Sequence, residues 1–76
     1  MVVVRECYYA RPVHRRGGTL VAGLERRFAS ASAAIEAAAL ASRHCAGALA
    51  FQMTGDPLLG IWDDTRLLAS YGQTGL

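Results

Sequence analysis

The stretch from Gly47 to Asp64, GALAFQMTGDPLLGIWDD, constrains most of what this chain can fold into. Leu49, Phe51 and Met53 alternate with Ala48, Ala50 and Gln52, the period-two pattern of a strand with one buried face. Thr54-Gly55-Asp56-Pro57 then breaks the run with residues suited to a turn, Asp56 making an Asx-type turn before Pro57. Ile61 and Trp62 resume the apolar pattern on a returning strand. These residues predict a hairpin with a loop from Gly55 to Gly60 and a bend or bulge at Asp63-Asp64-Thr65. The competing reading makes Asp63-Asp64 itself a turn between two shorter strands.

Upstream of this hairpin, Ser30 to Cys45 reads as a helix. Ser30 or Ser32 can cap its first amides, although neither has Glu or Gln three residues on to complete a capping box. Glu36 lies early and Arg43 late, as the helix dipole favours. Gly47 is available to close the helix in the left-handed conformation. The body is mostly alanine, with Ile35 and Leu40 as the large apolar anchors. So slim a helix can lie close to a sheet, and the sheet must then supply the bulk. Leu49, Phe51 and Met53, with Leu24 and Phe28, are the expected core beneath it.

The first third reads as a second hairpin. Met1 to Ala10 is a strand rich in valine and tyrosine, with Tyr8 and Tyr9 on opposite faces. Arg11 to Gly18, RPVHRRGG, reads as a connection, because Pro12 disfavours a central strand and Gly17-Gly18 suits a tight reversal. Thr19 to Phe28 is the second strand, where Gly23 marks a bulge or a close backbone approach; a helix from Leu20 is the alternative. The expected fold is α+β: β-β-α-β-β, a four-stranded, mainly antiparallel sheet with one helix on one face. At 76 residues the chain makes a single domain, 1–76, with 72–76 as a loose tail.

One helix covers one face. The other face is left to water or to a partner, which is the main reason to expect self-association. Val3, Tyr9, Ala48, Ala50 or Tyr71 can fall there, depending on register.

The segment GALAFQMTGDPLLGIWDDTRLLASYG (47–72), with the serine-capped alanine helix before it, resembles a group of small uncharacterised bacterial proteins. They share a Gly-Ala-x-Ala-Phe strand, a Thr-Gly-Asp-Pro turn, a Gly-x-aromatic-Asp-Asp step and a Leu-Ala-x-aromatic-Gly ending. The resemblance implies one small domain and brings no assigned activity and no catalytic residue.

Charge and motifs narrow the function classes. The formal net charge is +2, too small by itself to mark a nucleic-acid protein. All eight Lys/Arg residues are arginine, which fits a compositional bias toward Ala, Arg and Gly better than a dedicated phosphate site. Arg11, His14, Arg15 and Arg16, extended by Arg26 and Arg27, are the candidate contacts for an anion or a nucleic acid, with Tyr8 or Tyr9 placed to stack a base. No RNP-like aromatic motif accompanies them. Asp56, Asp63 and Asp64 match no metal-loop spacing, and Cys7, Cys45, His14 and His44 lack the close pairing of a zinc site. Both cysteines read as packed thiols in a reduced, cytoplasmic protein, and no stretch is long enough to span a membrane. No nucleophile-base pair, P-loop or dinucleotide fingerprint occurs, so no catalytic residue, metal or cofactor is assigned. Trp62 is either buried under the helix end or an anchor for a partner. The expectation is a small accessory domain that binds a partner or itself, with Tyr9, Trp62 and Tyr71 as candidate interface residues. A nucleic-acid or anion module using the 11–16 loop is the alternative, and an enzyme comes third.

Overall fold

The computed structural model describes residues 4–75, so the expectations placed on Met1 to Val3 and on Leu76 lie outside the described residues. The elements run β1 (Arg5–Arg16), β2 (Thr19–Ala22), β3 (Arg26–Phe28), α1 (Ala31–Ala41), β4 (Gly47–Asp56) and β5 (Ile61–Gly72). All strand pairings are antiparallel, in the order β2-β1-β4-β5, with β3 also pairing β1. The helix packs on one face. This is the α+β architecture expected, with the second strand divided in two.

β1 does not stop at Ala10. It continues through RPVHRR, so the expected 11–16 connection is strand, paired with β4 up to Val13 and with β2 up to Arg16. The reason lies across the sheet. Pro12 presents its carbonyl to the amide of Gly23 (2.8 Å), at the point where the neighbouring strand is interrupted between Ala22 and Arg26. The donor that proline lacks would have pointed into that gap, so the central strand keeps its proline without losing a ladder bond. Gly23 is the close approach anticipated: a β-carbon there would stand 2.8 Å from the Pro12 ring. Gly17 and Gly18 reverse the chain with φ of 56° and 86°, the left-handed pair of a tight hairpin.

Ser30 caps the helix, its hydroxyl accepting from the Ala33 amide at 3.1 Å. The helix ends at Ala41, four residues before the expected limit. Beyond it the amides of Arg43 and His44 bond to Leu40 and Ala41, three residues back, a tightening turn typical of a helix end. Gly47 is not a left-handed cap. It opens β4, where a β-carbon would strike the carbonyls of Tyr71 and Gln73. Glu36 and Arg43 fall outside the first and last turns, so neither serves the dipole as expected.

The core reverses the expected parity of β4. The helix lies on Ala48 and Ala50, joined by Ala10 from β1 and by Ala34 and Ala38 from its own inner face. Around these alanines sit Tyr8, Phe28, Ile35, Leu68 and Tyr71, partly buried. Phe28 therefore joins the core as expected, while Leu24 is 84% exposed and Leu40 about half exposed. Leu49, Phe51 and Met53 alternate with Ala48 and Ala50 and so occupy the opposite face. Small residues meet small residues here, and the backbones of helix and sheet come close.

β5 is bulged twice. Leu68 has no opposite number between the Ala50–Ala69 and Phe51–Leu67 pairs, and Asp63 has none between Thr54–Asp64 and Gly55–Trp62. The second is the irregularity expected at Asp63-Asp64-Thr65. The loop before β5 is the Asx-type turn, Asp56 Oδ1 accepting from the amides of Leu58 (3.0 Å) and Leu59 (3.3 Å). The chain beyond β5 is tied down rather than loose at its start: the Gln73 amide donates to Ala46 (2.9 Å), and its side chain meets Arg15.

Candidate functional site

Cross-strand partners share a face, so register alone assigns the side of the sheet away from the helix. Tyr9 lies opposite Phe51, Arg11 opposite Leu49, Phe51 opposite Leu67 and Met53 opposite Thr65. The Tyr9 and Phe51 rings stack, with centroids 5.5 Å apart and planes 21° from parallel. Trp62 stands opposite Gly55, which has no side chain to block the indole, and Trp62 meets the Tyr9 ring edge-on at 6.3 Å and 85°. Such stacked and edge-on pairs stabilise beyond the area they bury, by about 0.5–1.5 kcal/mol each.

Arg11 joins this aromatic group. Its guanidinium lies over the Phe51 ring, 5.6 Å from the centroid, and its Nη2 pairs with Glu25 at 2.6 Å. Its Nε is buried and makes no hydrogen bond. Arg11, Leu49, Phe51, Thr65 and Leu67 line a concavity of about 340 Å³ in the middle of the face. Its two ends are covered by the chain itself. At one end Gln73 and Gly75 lie beside Arg15 and Leu20, and Val13 is buried. At the other end the Tyr9–Trp62 pair rises, and Cys7 is buried. Burial and the adjacent Cys7 thiol raise the Tyr9 hydroxyl above the ordinary tyrosine pKa. Tyr8, on the helix side, is raised by its hydrogen bond to the Glu6 carboxylate.

The candidates named from sequence are therefore divided. Tyr9 and Trp62 meet on the open face, so Trp62 is not under the helix end. Tyr71 packs on the alanine core of the other face. Of the four residues of the basic group, Arg11 and Arg15 share the open face by their β1 parity, and His14 and Arg16 share the helix side. Arg27, opposite Tyr9, joins the first pair, and Arg26, opposite Ala10, the second. The group is not a convergent loop. Among the described residues no three of His, Cys, Asp and Glu come together as metal ligands, and Cys7 and Cys45 are unpaired thiols.

Leu49, Phe51, Thr65 and Leu67 were not anticipated at this surface, because bulk on β4 pointed to the core. The available signal was the alanine of the helix, which matches Ala48 and Ala50 in size. No protein-family model matches the chain, and no curated protein or solved structure shows significant similarity to it. Among the described residues no helix is long and apolar enough to cross a membrane.

Proposed function

We propose that this chain is an interaction domain whose working surface is the sheet face opposite the helix. One observation carries the reading: the small side chains are enclosed and the large ones are not. Among the described residues the buried apolar side chains are those of Cys7, Val13 and alanines, while Tyr9, Phe51, Trp62, Leu49 and Leu67 crowd a face that no element of the described chain covers. An apolar surface rimmed by charge marks an interaction site on a small domain. The total exposed area supports this. The chain exposes 5043 Å², against about 4,500 Å² expected for a folded monomer of its mass. The unpaired Cys7 and Cys45 support a reducing, cytoplasmic setting.

Trp62 is the single tryptophan and sits on this face, so its fluorescence reports whatever covers it. A covering partner shifts its emission and protects it from acrylamide quenching, and Leu67→Glu abolishes both effects. The reading fails if quenching is unchanged across a dilution series and on adding single-stranded RNA or DNA at low salt.

A second reading rests on Arg5, Arg11, Arg15 and Arg27, which share this face with three aromatic rings. Cations beside stacked rings suit a single-stranded nucleic acid. Binding that falls with salt, and falls again in Arg15→Ala and Arg27→Ala, supports it.

A further inference from the structure

We infer that the occupant of the open face is a single-stranded nucleic acid, DNA or RNA, lying along β1 with its phosphates on a row of arginines and its bases turned toward β4 and β5. The inference rests on the reading of that face as a binding surface with cations beside its rings. Three observations select this occupant and its path.

The first is the sign of the charge on each side of the sheet. Register places Arg5, Arg11, Arg15 and Arg27 on the open face. Among the described residues no Asp or Glu has a register position there. Glu6, Asp56 and Asp64 belong to the helix side, and Asp63 is unpaired in its bulge on the far edge. Glu25, in the gap between β2 and β3, pairs with Arg11. Arg15 meets a neutral partner, Gln73, and Arg5, Arg15 and Arg27 are all exposed. Among the described residues these three charges have no carboxylate paired to them. A second copy would bring none to meet them, since its own open face has none, whereas a polyanion complements all three.

The second is the separation of cations from rings. Arg5, Arg11 and Arg15 belong to β1 and Arg27 to its neighbour β3, whereas Phe51 and Trp62 belong to β4 and β5, as does most of the wall of the concavity. Tyr9, the ring that β1 adds to the face, lies level with Arg27. Arg5 and Arg15 are ten residues apart on β1, about 33 Å at the rise of a strand, and Arg27 falls between them. A nucleic-acid single strand has the matching build, a charged backbone along one side and flat bases along the other. A duplex keeps its bases stacked inside, and an acidic peptide supplies the charge without the bases.

The third is the surface left open to a base. Phe51 is already engaged by Tyr9 and by the Arg11 guanidinium. Trp62 meets Tyr9 edge-on and stands opposite Gly55, so the indole has a face to offer for stacking. The concavity of about 340 Å³ takes a second base against Leu49 and Leu67. Its polar side chains are Arg11 and Thr65, too few donors and acceptors to read the edge of a base. Recognition therefore rests on stacking and charge. It tolerates changes of sequence and does not depend on the 2′-hydroxyl that tells RNA from DNA.

Fluorescence anisotropy of labelled oligo(dT) and oligo(U), about twelve nucleotides each, titrated with the full chain tests this. Both should bind within a fewfold of each other and protect Trp62 from acrylamide. Contacts from Arg5, Arg15 and Arg27 to a single strand give a logarithmic salt slope of about −2, so raising salt from about 50 to about 200 mM weakens binding roughly 20-fold. Arg27→Ala brings that loss down to about 7-fold. Arg26→Ala, next in sequence but on the helix side, leaves it unchanged. Trp62→Leu weakens binding about 5-fold or more and keeps the slope. Leu67 is 50% exposed in the free chain, so Leu67→Glu keeps its circular dichroism and serves if Trp62→Leu does not fold. Equal effects of Arg26→Ala and Arg27→Ala overturn the path along β1. Undiminished binding by both Trp62→Leu and Leu67→Glu, or poly-L-glutamate or a duplex bound as tightly as oligo(dT), overturns the contacts to bases. No binding of either oligonucleotide at about 50 mM salt overturns the nucleic acid. If Trp62 then becomes protected as the chain is concentrated, the binding face stands with a second copy on it; if it does not, the face falls as well.

Discussion

The two faces of this sheet solve different problems with the same strands. Beneath the helix, Ala10, Ala34, Ala38, Ala48 and Ala50 leave almost no side chain between the layers, and stability there comes from close backbone approach. On the other side, Phe51, Tyr9, Trp62 and Arg11 form a group held by ring contacts and one ion pair, and each of them is only partly covered. The difference teaches that residue size does not by itself identify the interior of a small domain. An interior can be made of the smallest residues when the element that covers it is equally small, and the bulk then becomes available for recognition.

The contrast breaks most directly under Ala50→Leu. Ala50 is fully enclosed between helix and sheet, and a leucine there must push the layers apart, at a cost of about 3 kcal/mol, the upper end of the usual overpacking range. Urea unfolding measures it, and a loss near zero would mean the helix side is not tightly packed. Phe51→Ala on the opposite face removes a half-covered ring and should cost about 1–2 kcal/mol in the isolated chain, less than a fully buried phenylalanine. Its sharper signature is at the surface: whatever shields Trp62 from acrylamide in the parent chain should no longer do so in Phe51→Ala. Ser30→Ala removes the hydroxyl that caps the helix and should cost about 1 kcal/mol on the helix side, leaving Trp62 quenching unchanged. Arg11→Gln removes an ion pair whose side chains are 35% and 40% exposed. After allowance for solvent screening the expected loss is about 0.5 kcal/mol, and it shrinks as salt is added.

The smallest effect is alkaline. The Tyr9 hydroxyl holds its proton more tightly in the folded chain, because of burial and then Cys7. A raised folded-state pKa gives a contribution that is fully present below about pH 10, the ordinary tyrosine value, and is lost as pH climbs through the higher folded-state value. Tyr9→Phe should flatten part of that decline. An unchanged alkaline slope in unfolding experiments would place the Tyr9 hydroxyl in water.

Much of the fold was legible in local chemistry. Gly17-Gly18, the Ser30 cap, the Asp56 turn and the irregularity at Asp63 each follow from a residue acting on its own backbone. What failed required information from elsewhere in the chain. Pro12 argued against a strand because the gap that accommodates it is made by Gly23 to Glu25, on another segment. The helix stops four residues short of the expected Cys45, a limit the sequence marks poorly because Arg43, His44 and Cys45 oppose helix only weakly. The parity of β4 was not legible because alternation defines two faces without saying which one the helix will choose. The candidate site is hidden for the same reason: Arg11 and Arg15 look like part of a loop in the sequence, whereas β1 separates them from His14 and Arg16 and aligns them with Tyr9.

The alanine seam under the helix also bears on how such a chain can change over generations. Because the enclosed side tolerates almost no growth in side-chain volume, variation accumulates at lower cost on the aromatic side, where an altered ring or charge changes association more than folding. A duplicated gene could therefore drift toward a new companion while inheriting its architecture intact.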